Sequence, residues 1–343
     1  MKGKVALIIV FTHRFDRNIP ILESIYRDRF THIFHLVPFY DGNKPNVIPV
    51  YENSYYYQGY FSQGFKHYFR EEFEHYFFVA DDMVLNPAIN EENYKEFFKV
   101  SSDTGFVPEI FTLNNFHNDE TLLFTPYYTF KDRLREKVLK QKGIKPARYF
   151  WWRIIQALQY DPKKEGVEAI GEIPSYEEAK QIIKDHGIDV KPLEYAHVNW
   201  GLPFPSTPGK FVRFVKYIFN QHIVRKKYVL KYPLVASYSD ILIVPAASIR
   251  KFVHYCGVFA ATELFVEYAV PTALLLTTKK VVCESQLSKR GLIYWPYTEE
   301  QKELYQNEMN KYHFRIDDLL ANFPDEKLYI HPIKLSKWKP EKV

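Results

Sequence analysis

Apolar and polar positions along the first ~110 residues alternate in blocks that read as an α/β unit. The run "KVALIIVFT" is apolar almost without interruption and predicts a strand buried on both faces. "IPILESIYRDRF" follows with helical spacing, "THIFHLVPFYDG" returns to a strand that ends in an Asp-Gly turn, and "NVIPVYE" gives a third strand. "YYYQGYFSQGFKHYFREEF" predicts an aromatic-rich helix and "HYFFVADDMVL" a fourth strand. Strands and helices in this order predict a parallel sheet, whose ligands sit beyond the carboxyl ends of its strands. Asp81 and Asp82 fall at such an end.

Further along, "NEENYKEFFKVSSDTG" predicts a helix and "GFVPEIFTL" a strand. Between 115 and 235 the pattern is irregular. It holds one clear helix, "SYEEAKQIIKDHG", opened by a Ser-x-x-Glu capping box and closed by glycine, and a proline-rich loop, "NWGLPFPSTPG". The alternation resumes with a strand from Asp240 to Val244, a helix from Ala246, a break at Cys256-Gly257, and a second apolar helix carrying Glu263 and Glu267. An acid- and tyrosine-rich helix near Glu299–His313 and the segment "KLYIHPIKLSKW" close the pattern. No internal repeat is present. The expected organisation is one α/β domain in three stretches, 1–114, 115–235 as a middle insertion, and 236–343.

Composition narrows the class. The chain has 343 residues, 46% apolar and 17% aromatic, enough for a sizeable core. Two cysteines without a Cys-x-x-Cys pair argue against a disulfide framework or a cysteine zinc site and point to a reducing compartment. The opening apolar run, Val5 to Phe11, lacks a small-residue cleavage site and reads as a strand rather than a secretory leader. No apolar stretch reaches the ~18 residues that crossing a bilayer requires, so the expected location is cytoplasmic. A net charge of +5 is too mild to imply a nucleic-acid partner. The charge is uneven, however: residues 209–233 hold seven Lys or Arg and no acid, interleaved with Phe, Tyr, Ile and Val. That composition fits peripheral contact with an anionic membrane, on its inner face, or a core helix with one solvated basic face.

Candidate chemistry centres on the doublet. Two adjacent carboxylates repel each other, and either is costly to bury unpaired. They need cationic or backbone partners, a solvated strand-end turn, or a single metal ion. Glu263 and Glu267 are four apart, hence on one face of a helix, in an otherwise apolar segment; an ion pair to Arg250 or Lys251 is the structural alternative. His331 stands before a proline at the end of "LYI", with Lys334 three residues on. The chain has no Gly-x-Ser-x-Gly, His-Glu-x-x-His or Gly-x-Gly-x-x-Gly motif, and "FTHRFDRNIP" lacks the glycine and lysine of a phosphate loop.

This order of elements resembles the GT-A class of nucleotide-sugar glycosyltransferases, among them bacterial surface-polysaccharide transferases. It comprises a first strand with a short basic turn, a polar helix before an aspartate-ended strand, a glutamate helix far downstream, and a late histidine. The resemblance covers most of the chain in layout, with motif content confined to ~30 residues. Ala80-Asp81-Asp82 departs from Asp-x-Asp by a neutral residue in the first slot. The resemblance implies a mixed, mostly parallel α/β sheet flanked by helices. Residues 1–114 would form the nucleotide-sugar half, 115–235 a variable acceptor region, and 236–343 the acceptor-side helices and metal-shell segment.

It implies Mn2+ or Mg2+ held by Asp82, with Asp81 in the metal shell or on the donor ribose and His331 completing the shell. Lys334 would face phosphate. Thr12, His13, Arg14, Tyr51, Glu52, Gln58, Gln63 and Lys66 would touch the nucleotide. Glu267, at the acidic position of a Glu-Asp-Val-x-x-Gly-like segment in which Tyr268 replaces the second acid, would be the catalytic base, and Glu263 an acceptor-hydroxyl ligand. The expected reaction moves a sugar from a nucleotide-sugar, a UDP-sugar by preference, to a saccharide or lipid-linked acceptor. The alternatives are a non-catalytic nucleotide- or saccharide-binding protein on the same fold and a nucleotidyltransferase; a hydrolase using Asp82 and Glu267 as a carboxylate pair is more distant.

Overall fold

The structure, a computed structural model, describes residues 3–114, 154–198, 207–294 and 299–338. Its contacts divide the chain into two compact units, Met1–Ile110 with Ser237–Val343, and Phe111–Ala236. The stretch read from sequence as an insertion falls in the second unit; its residues 115–153 and most of the proline-rich loop, 199–206, lie outside the described residues.

The first unit carries the α/β pattern. Its strands are β1 (Val5–Val10), β2 (His32–Pro38), β3 (Val47–Val50), β4 (His75–Ala80), β5 (Val84–Leu85), β6 (Thr104–Phe106), β7 (Ile241–Pro245), β8 (Lys280–Val282), β9 (Arg290–Ile293) and β10 (Lys327–His331). Its helices are α1 (Ile19–Tyr26), α2 (Gln58–Tyr68), α3 (Tyr94–Phe98), α4 (Ala246–Ala261), α5 (Val266–Thr277), α6 (Glu299–Asn310) and α7 (Ile316–Ala321). Seven strands form one sheet in the order β8-β6-β7-β4-β1-β2-β3. Neighbours are parallel except at β7, which runs against both β4 and β6. The fold is thus α/β, with a large mixed, mostly parallel sheet flanked by helices.

β1 lies between β2 and β4, which explains its unbroken apolar sequence. Val5, Leu7 and Ile9 join a core with Ile19, Leu22, Ile25 and Tyr26 of α1. On β4, the neighbouring Phe78 packs against Phe61 of α2 and Phe252 of α4, with ring centroids 4.5 and 6.4 Å away.

Three sequence expectations need correction. The helix expected over "NEENYKEFFKVSSDTG" shrinks to α3, because Asn90 and Asn93 side chains bind the backbone ahead of it and Lys99 ends it in the left-handed region (φ 49°). The strand expected over "GFVPEIFTL" splits into β6 and Phe111–Thr112, the latter pairing with Val235–Ala236 in the second unit. Cys256-Gly257 is no break: α4 runs through it, and Gly257 permits close approach to α2, since a Cβ there would sit 3.1 Å from that of Ser62. The real break follows Ala261, where Glu263 adopts φ 57°.

In the second unit, the helix Tyr176–Asp185 has the reciprocal Ser175–Glu178 capping bonds that its sequence predicts. Among the described residues no helix is long and apolar enough to cross a membrane.

The segment that follows Asp82 is held from α1. The buried Tyr26 hydroxyl donates to the Met83 carbonyl and accepts from the Leu85 N–H, both at 3.1 Å. Arg29 donates to the carbonyls of Asn86 and Ile89 at 2.6 and 2.8 Å. Glu91 accepts from the backbone N–H and the hydroxyl of Thr31. Tyr26→Phe removes both hydroxyl bonds without changing the packed ring, leaving a buried N–H and carbonyl unpaired. The expected loss is about 1–3 kcal/mol of unfolding free energy, read as a lower urea midpoint at unchanged slope.

Candidate functional site

The site forms at the carboxyl rim of β4, and a second sheet builds it. Immediately after the doublet, β5 pairs antiparallel with β10 in the register Leu85↔Tyr329 and Val84↔Ile330, while β9 flanks β10 on its other edge. Continuing that register by one residue on β10 brings His331 alongside the doublet. Its Nε2 lies 3.0 Å from Asp82 Oδ1, and the Ile333 N–H donates to the Asp82 carbonyl. The His331–Pro332 peptide is cis.

Asp81 is nearly buried, whereas the Asp82 side chain is 37% exposed. The Asp81 N–H donates to the Val10 carbonyl, and the Thr12 backbone N–H faces the Asp81 carboxylate. Burial, with the Asp82 charge beside it, pushes the Asp81 carboxyl well above the usual carboxylate range. Burial works in the same direction on Asp82, but His331 outweighs it and holds that carboxyl below its ordinary value, helped by Lys334. Burial lowers the His331 imidazole; the charges of Asp82, Asp240 and Asp81 overcome this and raise it to about 9.

Asp240 was missed in the sequence reading. It immediately precedes β7, the one reversed strand, so the amino end of β7 meets the carboxyl end of β4, and the Asp240 carbonyl accepts from the Ala80 N–H at 2.7 Å. Asp240 lines a small cleft with Val10, Thr12, Tyr57, Phe78, Val79, Ala80 and Ser239. The Tyr57 hydroxyl stands near Ser239, Asp240 and Glu267; burial first, then these carboxylates, raises it well above an ordinary phenol. The sequence signal was present in "SYSD", an acid at a strand's first position, but nothing in the pattern marked the strand as reversed.

The residues expected at the nucleotide scatter more widely. Thr12 lines the cleft. His13 is exposed with its ring edge-on to Phe15, and Arg14 is paired with Asp41. Tyr51 is exposed against Phe39, and the Glu52 carboxylate accepts from the backbone and side chain of Asn53. Gln63 accepts from the Tyr51 N–H, and Lys66 lies exposed on α2. Gln58, expected to reach a nucleotide from a helix surface, is instead fully buried, its amide donating to the Leu264 carbonyl at 2.7 Å and tying α2 to the α4–α5 turn.

Glu263 and Glu267 do not share a helix face. Glu263 is exposed in the left-handed turn before α5, while Glu267 lies in the first turn of α5 with its carbonyl accepting from the Ser237 N–H. The cations offered as alternative partners lie on aromatic rings: Arg250 is 4.2 Å from the Phe69 centroid and Lys251 5.5 Å from that of Tyr255.

Among the described residues, no group of three or more His, Cys, Asp or Glu is placed to hold a metal ion. A preformed protein cage is one way to bind a hard cation. The other is one or two carboxylates completed by substrate phosphate oxygens and water, the usual arrangement for magnesium. Asp81 and Asp82 fit the second: they are adjacent and oxygen-bearing, and among the described residues no Arg or Lys forms an ion pair with either.

The His331 shift has a definite sign. A pKa raised from 6.5 to about 9 means that the imidazolium stabilises the fold fully below pH 6.5, and that this contribution disappears as pH rises through about 9. It amounts to at most roughly 3 kcal/mol. In chelator-treated protein the stability advantage of wild type over His331→Gln is expected to shrink between pH 6.5 and pH 9, measured by urea melts at each pH. A pH-independent difference would contradict the ion pair.

No protein-family model matches the chain, and no curated protein matches it.

Proposed function

We propose that the protein is a divalent-metal-dependent glycosyltransferase of the GT-A type. It would transfer a sugar from a nucleotide-sugar, a UDP-sugar by preference, to a saccharide or lipid-linked acceptor in surface-polysaccharide synthesis. The observation that carries this reading is the ion pair of Asp82 with His331, on which the charges of Asp81 and Asp240 also act, at the carboxyl rim of a mostly parallel sheet where Asp240 lines a small cleft. That rim is where open α/β sheets bind their ligands. An excess of carboxylates there suits a site completed by a cation and an anionic diphosphate. The aspartate-ended strand and the late histidine that carried the resemblance are neighbours in space, 249 residues apart in sequence.

Asp81 and Asp82 would hold Mn2+ or Mg2+. When bound, the ion supplies charge neutralisation to the departing diphosphate. His331 would orient this arrangement, its Nε2 holding one Asp82 oxygen. Lys334, exposed and near Asp82, offers a point charge to phosphate. Thr12, Tyr57 and Ser239 line the cleft beside Asp240. An inverting transfer needs a carboxylate to accept the proton of the acceptor hydroxyl. Glu267, beside Tyr57, keeps that role in this reading, and Asp240 replaces the exposed Glu263 as the second carboxylate near the acceptor.

The deciding measurement is a thermal-shift panel of UDP-, GDP-, CMP- and dTDP-sugars, each with and without manganese. One nucleotide class is expected to stabilise the protein, by about 2.7 kcal/mol at a hundredfold excess over Kd, and only with manganese present. Asp82→Asn is expected to abolish that shift. No shift with any donor would favour the non-catalytic saccharide-binding alternative. Once the donor is known, Glu267→Gln is expected to lower kcat by about 10²–10⁴ while leaving the donor-induced shift nearly intact. Parallel loss of both would remove Glu267 from the role of base.

A further inference from the structure

Within the second unit, the helix Pro208–Ile218 continues directly into a π turn, Phe219–Ile223. A surface helix normally buries one apolar stripe and shows water a polar one. This helix is apolar on two sides. Tyr217 faces inward, its ring 5.8 Å from that of Tyr195, which in turn stacks on Tyr228. On the outside, Phe211, Val212, Val215, Phe219 and Ile223 are between 49% and 67% exposed. The spacing 211, 215, 219 follows one face of a helix. Scattered exposed apolar side chains are ordinary, but a contiguous row of them marks a surface that something covers.

The charge around this row identifies the occupant. Arg213, Lys216, Arg225, Lys226 and Lys227 are all exposed on the same segment, and no acid occurs between Glu194 and Asp240. Two acids of the second unit meet this segment: Glu194, bonded to Gln221 and opposite Lys227, and Asp161, paired with Lys231. Among the described residues, none forms an ion pair with Arg213, Lys216 or Arg225. A second copy of the chain, related by a two-fold axis, would bring this cationic row against itself. A nucleic acid would use the cations but gain little from Val212, Val215 and Ile223.

We propose that the segment Pro208–Val229 is a membrane-docking surface. The helix would lie in the plane of an anionic bilayer with Phe211, Val215, Phe219 and Ile223 in the interface and the side chains of Arg213, Lys216, Arg225, Lys226 and Lys227 on the headgroups. This is the geometry of an interfacial amphipathic helix, in which apolar burial and attraction to anionic lipid add together. The proposal stands independently of the nucleotide-sugar reading.

The test is flotation of the full chain with vesicles of phosphatidylcholine alone or mixed with phosphatidylglycerol, without nucleotide or metal. Binding is expected with the mixed vesicles and not with the neutral ones, weakening as salt is raised. Phe211→Glu with Phe219→Glu is expected to reduce it by about tenfold or more. Lys216→Glu with Arg225→Glu is expected to reduce it by a similar factor. Circular dichroism and melting temperature check that each variant folds; should the glutamates lower the melting temperature, Phe211→Ser with Phe219→Ser reads the same contribution more gently. Failure to float with anionic vesicles, or flotation indifferent to the phenylalanine pair, would overturn the proposal. So would a concentration-dependent dimer abolished by that pair in the absence of vesicle binding, which would identify a second copy as what covers the row.

Discussion

The antiparallel pairing of β5 with β10 is the contact on which the candidate site depends. Only two residue pairs define it, yet they fix the register that sets His331 against Asp82. β5 could not hold that register alone, because two residues give too short a ladder to be stable in isolation. It is pinned from the other side by Tyr26 and Arg29, which hydrogen-bond the backbone at residues 83, 85, 86 and 89. Both attachments act on the same short run of chain just beyond the doublet. The geometry of the two aspartates is therefore set by packing on either side of them, and their mutual repulsion is met by His331 and backbone N–H groups rather than by distance.

The electrostatic character of the rim follows from strand direction. Parallel strands deliver their carboxyl ends, and the loops after them, to one edge. A single reversed strand adds its amino end to that edge, and here the residue just ahead of it is Asp240. The charges of Asp82, Asp240 and Asp81 consequently act on one imidazole and raise it in spite of its burial. Burial first, and the neighbouring Asp82 charge second, keep the Asp81 carboxyl hard to ionise.

Much of this was legible in the chain, and the gaps have physical reasons. The run Val5–Val10 announced a strand buried on both faces because only a central strand tolerates no polar position. The doublet stood out because charges directly after "HYFFVA" require an explanation. Asp240 did not stand out, because strand periodicity carries no sign of direction, and reversal moves a residue from one rim of the sheet to the other. Gln58 was misread because polarity on a helix suggests solvent, whereas here the amide satisfies a carbonyl at the α4–α5 turn. Gly257 and Glu263 were misread together. A glycine that makes room for a neighbouring helix looks, in sequence, like a glycine that ends one, and the true end fell on a glutamate in a conformation that a side chain rarely adopts.

The order in which the chain is made gives the late position of β10 a further meaning. Asp81 and Asp82 leave the ribosome some 249 residues before His331, with β1 to β4 already available to assemble around them. Domains tend to fold as they emerge, amino-terminal parts first. A nascent chain can therefore form the doublet's strand early while its counter-charge is still unmade. β10, the last of the described strands to be translated, completes the polar cluster, so a polypeptide released before Lys327 would hold the doublet without its neutralising partner.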